Sequence, residues 1–250
     1  MSEKKIYAVG LGPGAENMIT PQALNILQNC DVIAGYEYYL SLLPEIVCSG
    51  KTTISSGMTG EIERCRKALE ATEKGHQVAV ISSGDAGIYG MAGLLMEIAE
   101  KEFPEITVET IPGVTAASSA AALLGAPLMN DFVVISLSNL MTPENIILKR
   151  LEKAAEADLV CVLYNPASKK RRLLLEKAVS IYSGNVGGNT PAGIVTDACR
   201  PEQKIIICRL NDFPFEQVNM KSLVLIGNSC TVIRNKQIHT LRGYNEKYEI

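Results

Sequence analysis

The chain of 250 residues has no tryptophan, four phenylalanines and only two histidines, His76 and His239. With so few imidazoles, and with His76 directly before an apolar stretch, neither a histidine-based metal site nor a Ser-His-Asp triad is expected. The seven cysteines, at 30, 48, 65, 161, 199, 208 and 230, include no C-x-x-C pair and sit mostly among apolar neighbours. They read as small hydrophobes, with neither a disulfide nor a zinc site. Positive charge is not in excess: a net charge of −3 gives no general attraction to nucleic acid, so an anionic ligand would need a local basic patch. No apolar run reaches the roughly 18 residues of a membrane span, and the N-terminal MSEKKIYAVG leads into a strand, not a signal peptide. A cytoplasmic protein without membrane association is the expectation. The Walker pattern G-x-x-x-x-G-K-[ST] is absent, which disfavours ATP.

What is present suits an α/β protein. At 47% hydrophobic residues the chain can bury a sizeable core. Ile6 to Val9 is an apolar strand, followed after a loop by a helix with Thr20 as N-cap and Pro21 at its first position. Asp31 to Ala34 is a second strand, and a helix from about Gly60 carries Ile62, Cys65 and Leu69 on one face. Val78 to Ile81 and Ile106 to Ile111 are further strands. The small-residue pattern AASSAAALLG ends around Gly125 to Asn130, where a second set of elements begins. Phe132 to Leu137, Leu159 to Tyr164, Gly193 to Thr196, Ile205 to Leu210, Leu223 to Gly227 and a terminal hairpin near Val232 to Leu241 are strands. Helices opened by Thr142 and Pro143 and by Ser168 lie among them. The expected architecture is two tandem α/β domains, 1–126 and 127–250, the second more β-rich and mixed in strand direction.

Three glycine-containing loops should meet at one strand-end face. The stretch SSGDAGIYGMAG, residues 82 to 93, follows an apolar strand and precedes a helix with Met91, Leu94, Leu95 and Ile98 at helical spacing. There Gly84 and Gly87 permit close backbone approach, and Asp85 offers a carboxylate, either to a ligand or as the cap of the next helix. The GLGPG loop nominally fits a dinucleotide fingerprint through Gly10, Gly12 and Ala15. Its helix starts only at Thr20 and Pro21, and the second strand ends in Ala34, Gly35 and Tyr36 with no acid for a ribose, so NAD is disfavoured. Gly12, Pro13 and Gly14 instead form a rigid, exposed turn. The third loop is the turn Pro112, Gly113, Val114 and Thr115.

In LYNPASKKRR, Tyr164 and Asn165 end a strand, and Lys169, Lys170, Arg171 and Arg172 open a helix. Cations in a first helical turn oppose the dipole by about 0.3 to 1 kcal/mol each when exposed. An anionic ligand would offset this; a solvated basic face, with Arg172 paired to Glu176, is the plainer alternative.

Together the GLGPG loop with ITPQAL, GD-x-x-x-YG, IPGVTA, LYNP and a late strand ending in Gly227 and Asn228 resemble the tetrapyrrole methylase family, over essentially the whole chain. SSGDAGIYGMAGL, ISLSNLMTPENIILKRL and LYNPASKKRR are most similar to its precorrin-3B C17-methyltransferase branch, aerobic or cobalt-containing. Ala86 stands where the family commonly has proline, a change expected to loosen the loop. The resemblance implies S-adenosylmethionine in a cleft between two domains, a homodimer, and methyl transfer to C17 of (cobalt-)precorrin-3B with ring contraction. Methylation at C11 or C20, or of uroporphyrinogen, is the alternative within the family; a non-catalytic S-adenosylmethionine or tetrapyrrole binder is the alternative outside it. Carried over by residue, the cofactor contacts are Leu11, Gly12, Pro13, Gly84, Asp85, Ile88, Tyr89, Thr115, Ala116, Tyr164, Asn165, Ala192, Gly193 and Gly227. Asp85 is the candidate acid or base, and Lys169, Lys170, Arg171 and Arg172 would meet the substrate's carboxylates.

Overall fold

The computed structural model describes residues 4–57, 59–167 and 172–248. The chain divides into two compact units, Met1–Ala116 and Ala117–Ile250. They meet earlier than the 126/127 boundary drawn from the change in composition.

In the first unit the elements are β1 (Lys4–Gly10), α1 (Pro21–Asn29), β2 (Val32–Tyr36), the single turns α2 (Glu37–Leu40) and α3 (Glu45–Cys48), β3 (Thr52–Ser56), α4 (Glu61–Glu73), β4 (Val78–Ser82), α5 (Ala92–Glu102) and β5 (Ile106–Ile111). The sheet order is β3-β2-β4-β1-β5, and every neighbouring pair is parallel. Parallel strands all end at one edge, so the loops after β1, β4 and β5 open there together. Central β4 is buried at every position, as its unbroken apolar run requires of a strand covered on both faces. Ile6, Ala8, Val32, Ala34, Val78 and Val80 face α4 and α5; Val9, Ile33, Ala79 and Ile81 pack with Ala23 and Leu27 of α1. Thr20 caps α1 by accepting the Ala23 N–H at 3.2 Å, with Pro21 at the first position.

Two features depart from the sequence pattern. The edge strand β3, TTISS, pairs with β2 from Val32↔Thr52 to Tyr36↔Ser56 although its residues are largely polar. An edge strand needs less apolar surface, so its alternation is weak. In α4 the buried stripe is Arg64, Cys65, Ala68, Leu69 and Thr72, whereas Ile62 is exposed. The helix is rotated relative to the expected face, bringing an arginine inward in place of an isoleucine.

The second unit contains α6 (Ala116–Leu124), β6 (Gly125–Ala126), β7 (Phe132–Ser136), α7 (Glu144–Glu156), β8 (Val160–Tyr164), α8 (Arg172–Val186), β9 (Pro191–Thr196), β10 (Lys204–Arg209), β11 (Ser222–Ile226), β12 (Thr231–Arg234), β13 (Gln237–Thr240) and the single turn α9 (Tyr244–Lys247). Its main sheet runs β10-β9-β11-β8-β7, parallel only between β7 and β8. The hairpin β12–β13 joins β6 in a small second sheet. Ile135, Cys161, Leu163, Ile194 and Val224 line one core with Ile147 and Leu151 of α7 and Leu175 and Tyr182 of α8. Helix α6 packs with this unit because Leu124 fills the space above Gly193: its side-chain atoms lie 2.5 to 3.1 Å from where a Cβ would stand. The change in composition marks the end of this helix, not the end of the first unit. Among the described residues, no helix is long and apolar enough to cross a membrane.

Candidate functional site

At the carboxyl edge of the first sheet the three loops are tied into one junction. Leu11 N–H donates to Ser82 O at 2.9 Å, Gly12 N–H to Gly84 O at 3.0 Å, and Gly84 N–H to Gly12 O at 2.7 Å. The last two form an antiparallel bridge between loops of a parallel sheet. Gly12 and Gly84 adopt φ of +75° and +70°, where an L side chain is strained. Gly12 and Pro13 are buried, not exposed as expected, because the bridge and the Met18 carbonyl enclose them; Leu11 is buried beside them. At Gly10, a Cβ would stand 2.6 Å from Gly113 N and 2.7 Å from Gly84 O. The third loop therefore approaches the other two at backbone distance.

Asp85 completes the junction. Its Oδ1 accepts the N–H groups of Gly87 at 2.8 Å and Ile88 at 3.1 Å, and its Oδ2 accepts that of Gly113 at 3.0 Å. One carboxylate thus shapes its own loop and holds the next one. Ala86 is fully buried, and its carbonyl accepts the Ala92 N–H at 3.0 Å, so this loop is fastened by hydrogen bonds where a proline would fasten it covalently. The anchored loop presents Ile88 and Tyr89 outward, Tyr89 at φ +52°. Thr115 and Ala116 are partly exposed at the end of the third loop. An apolar side chain, a phenol and the partly exposed Thr115 and Ala116 form a surface suited to a small molecule with both apolar and hydrogen-bonding parts.

In the second unit the expected residues occupy two ends of the main sheet. Tyr164 and Asn165 lie at the carboxyl end of β8, while Ala192, Gly193 and Gly227 lie toward its opposite end, where Ile226 pairs with both Cys161 and Ala192. From Cys161 to Tyr164 the strand rises roughly 10 Å. The Tyr164 hydroxyl accepts the Ala117 N–H at 2.9 Å, capping the start of α6. Asn165, exposed at φ +52°, donates from its amide to Ser136 Oγ at 3.0 Å. Ala192 is buried, Gly193 lies under Leu124, and a Cβ at Gly227 would meet Thr231 at 2.6 Å. In the basic cluster, Arg172 is exposed and lies 3.4 Å from Glu176; Lys169, Lys170 and Arg171, with the expected cap Ser168, lie outside the described residues.

Two groups escaped the sequence pattern. Tyr36, Tyr38 and Tyr39 cluster at the end of β2, with ring centroids 5.3 to 6.4 Å apart, and the run YEYY was their signal. Arg64 is buried in α4 beneath the same edge; its only signal is the i, i+4, i+8 series with Ala68 and Thr72.

Comparison with known proteins identifies the family. The family model for tetrapyrrole (corrin/porphyrin) methylases matches residues 5–214. The chain is 44% identical over 239 residues to a Salmonella typhimurium protein named probable cobalt-factor III C(17)-methyltransferase, covering 96% of this chain and 99% of that one. It is 40% identical over 250 residues to the cobalt-factor III methyltransferase of Priestia megaterium, covering 98% of this chain but spanning only 46% of that protein. Among solved structures, the methyltransferase CobJ superposes with a TM-score of 0.89 at 33% identity, over 94% of this chain and 99% of that one.

Proposed function

The chain belongs to the tetrapyrrole (corrin/porphyrin) methylase family, and on that premise we propose that it methylates C17 of a cobalt-bearing precorrin-3B-type macrocycle, with ring contraction, in cobalamin biosynthesis. The observation that carries the reading is the glycine junction held by Asp85, on a chain that matches relatives named for this activity along nearly its whole length. Those names also favour the cobalt-containing form of the substrate over the metal-free one.

The methyl donor in this reading is S-adenosylmethionine, whose sulfonium supplies a methyl group already activated for displacement. The residues present fit such a molecule. Leu11, Gly12, Pro13 and Gly84 form a fixed, buried wall, and Ile88 and Tyr89 offer apolar and aromatic surface. Thr115 and Ala116 border the same junction, and Tyr164 and Asn165 are the polar contacts assigned to the second unit. Since the leaving group needs no protonation, the protein's work is to align the reacting atoms and exclude water. Asp85 serves this by position: its carboxylate is committed to three backbone donors, which makes it a positioning residue in preference to an acid or base. Lys169, Lys170, Arg171 and Arg172 are assigned to the substrate's carboxylates, and a homodimer is the assembly proposed.

The test is incubation of the purified protein with S-adenosylmethionine and cobalt-factor III. Mass spectrometry and NMR should find one added methyl at C17 and stoichiometric S-adenosylhomocysteine. A methyl at C11 or C20 would move the protein to another step of the family, and binding without turnover would make it a non-catalytic binder.

A further inference from the structure

Two charged side chains are buried among the described residues, Asp197 and Arg64. Asp197 is compensated by Arg200 at 3.4 Å and Lys221 at 3.3 Å. Arg64 is not. Only 4% exposed, it donates from Nη1 to Ser56 Oγ at 2.5 Å and points Nη2 at the Met91 sulfur at 3.8 Å, while Nε has no partner. No carboxylate among the described residues pairs with it. The acids nearest in sequence are engaged elsewhere: Glu61 accepts the Thr59 N–H at 3.3 Å, and Glu63 pairs with Lys67 at 2.7 Å. Arginine does not escape burial by losing its proton, and a buried cation served by one hydroxyl and one thioether is strongly unfavourable.

Its position explains the cost. Ser56 ends β3 and pairs in register with Tyr36 at the end of β2, so both point to the α4 face at the carboxyl edge. Met91 closes the 82–93 loop, its N–H bonded to Ser82 Oγ at 2.9 Å. Arg64 therefore lies beneath the edge on which the site opens, covered there by a half-buried methionine. Methionine is flexible, and its sulfur is a weak acceptor that an anion displaces readily. The tyrosine cluster follows β2 at the same sheet edge, where Tyr36 is in register with Ser56, and offers aromatic surface to a conjugated ring.

We propose that Arg64 forms a latent carboxylate-binding subsite at the end of β3, opened when Met91 swings aside, and that it takes one carboxylate of the substrate. The inference rests on the reading of the substrate as a polycarboxylate tetrapyrrole. It is independent of the basic cluster in the second unit.

The test titrates cobalt-factor III by absorbance and S-adenosylmethionine by calorimetry, with thermal melts of each variant. Arg64→Met should fold with an equal or higher Tm, keep its affinity for S-adenosylmethionine, and bind cobalt-factor III about 10- to 100-fold more weakly. Met91→Glu, which offers Arg64 an internal carboxylate, should raise Tm and weaken cobalt-factor III binding similarly. Equal cobalt-factor III affinity in wild type and Arg64→Met overturns the subsite while leaving the proposed function standing. If Arg64→Met does not fold, unchanged affinity in Met91→Glu overturns it instead. A wild-type protein that does not bind cobalt-factor III at all removes the substrate reading, and the subsite with it.

Discussion

At the scale of single residues, the Asp85 carboxylate does two structural jobs, shaping its own loop and holding the next one. An aspartate after a glycine at a strand end reads equally as a loop cap or a ligand, and no spacing rule reveals that Oδ2 also reaches Gly113 in a loop 28 positions later. That long-range bond was invisible in the sequence because it depends on β1, β4 and β5 lying side by side. Asp85→Asn keeps the size but loses one acceptor, and it places an N–H₂ against a backbone N–H. We expect it to cost about 1–3 kcal/mol of stability and to weaken S-adenosylmethionine binding at least tenfold, measured by urea denaturation and calorimetry. Full affinity in a stably folded variant would remove the positioning role. Arg64 was illegible for a related reason: a helix pattern marks which positions turn inward only when they are apolar.

Among elements, most strands and helices were readable, since β4 and β8 are unbroken apolar runs and Thr20-Pro21 is a strong helix start. β3 was missed because a polar edge strand looks like a loop. The convergence of the loops was legible, but not the backbone bridge that ties them. Gly84 and Gly113 separate the two demands made on glycine there. Gly84 has a positive φ, but a Cβ there would make only ordinary contacts, the nearest with Ala116 N at 3.6 Å, so Gly84→Ala should cost about 1–2 kcal/mol. Gly113 faces the Gly84 carbonyl and Gly10 backbone so closely that a Cβ requires the loops to separate. Gly113→Ala should therefore destabilise more than Gly84→Ala and abolish S-adenosylmethionine binding, as thermal melts and calorimetry would show. Equal effects at both positions would mean the junction can yield.

For the molecule as a whole, Cys30, Cys65 and Cys161 are the buried small hydrophobes expected, whereas Cys230 is exposed, and burial of thiols sets an alkaline limit. Burial pushes the Cys161 thiol up to about 12 from an ordinary value of 9.0, and the Cys65 and Cys208 thiols up to about 11. Tyr182 beside Cys161 is raised as well, mainly by burial. In each case the folded state holds its proton more tightly than the unfolded one, so the contribution is complete below about pH 9 and fades as pH climbs toward 12. The urea midpoint should be flat from neutrality to pH 9 and fall above it, with a shallower fall in Cys161→Val. An unchanged slope in that variant would show that Cys161 is not among the groups responsible. The mixed second sheet was equally legible from its short, closely spaced strands; the place of α6 was not, because a helix of small residues carries no mark of which sheet it packs on.

The bridge between Gly12 and Gly84 has a practical consequence for anyone recombining these enzymes. Segments 10–14 and 82–90 share backbone hydrogen bonds and the Asp85 carboxylate ties 112–115 to them, so the three are inherited as a single part. A chimera that transplants one of them alone would import loops cut to fit different neighbours, whereas exchanging all three preserves the join.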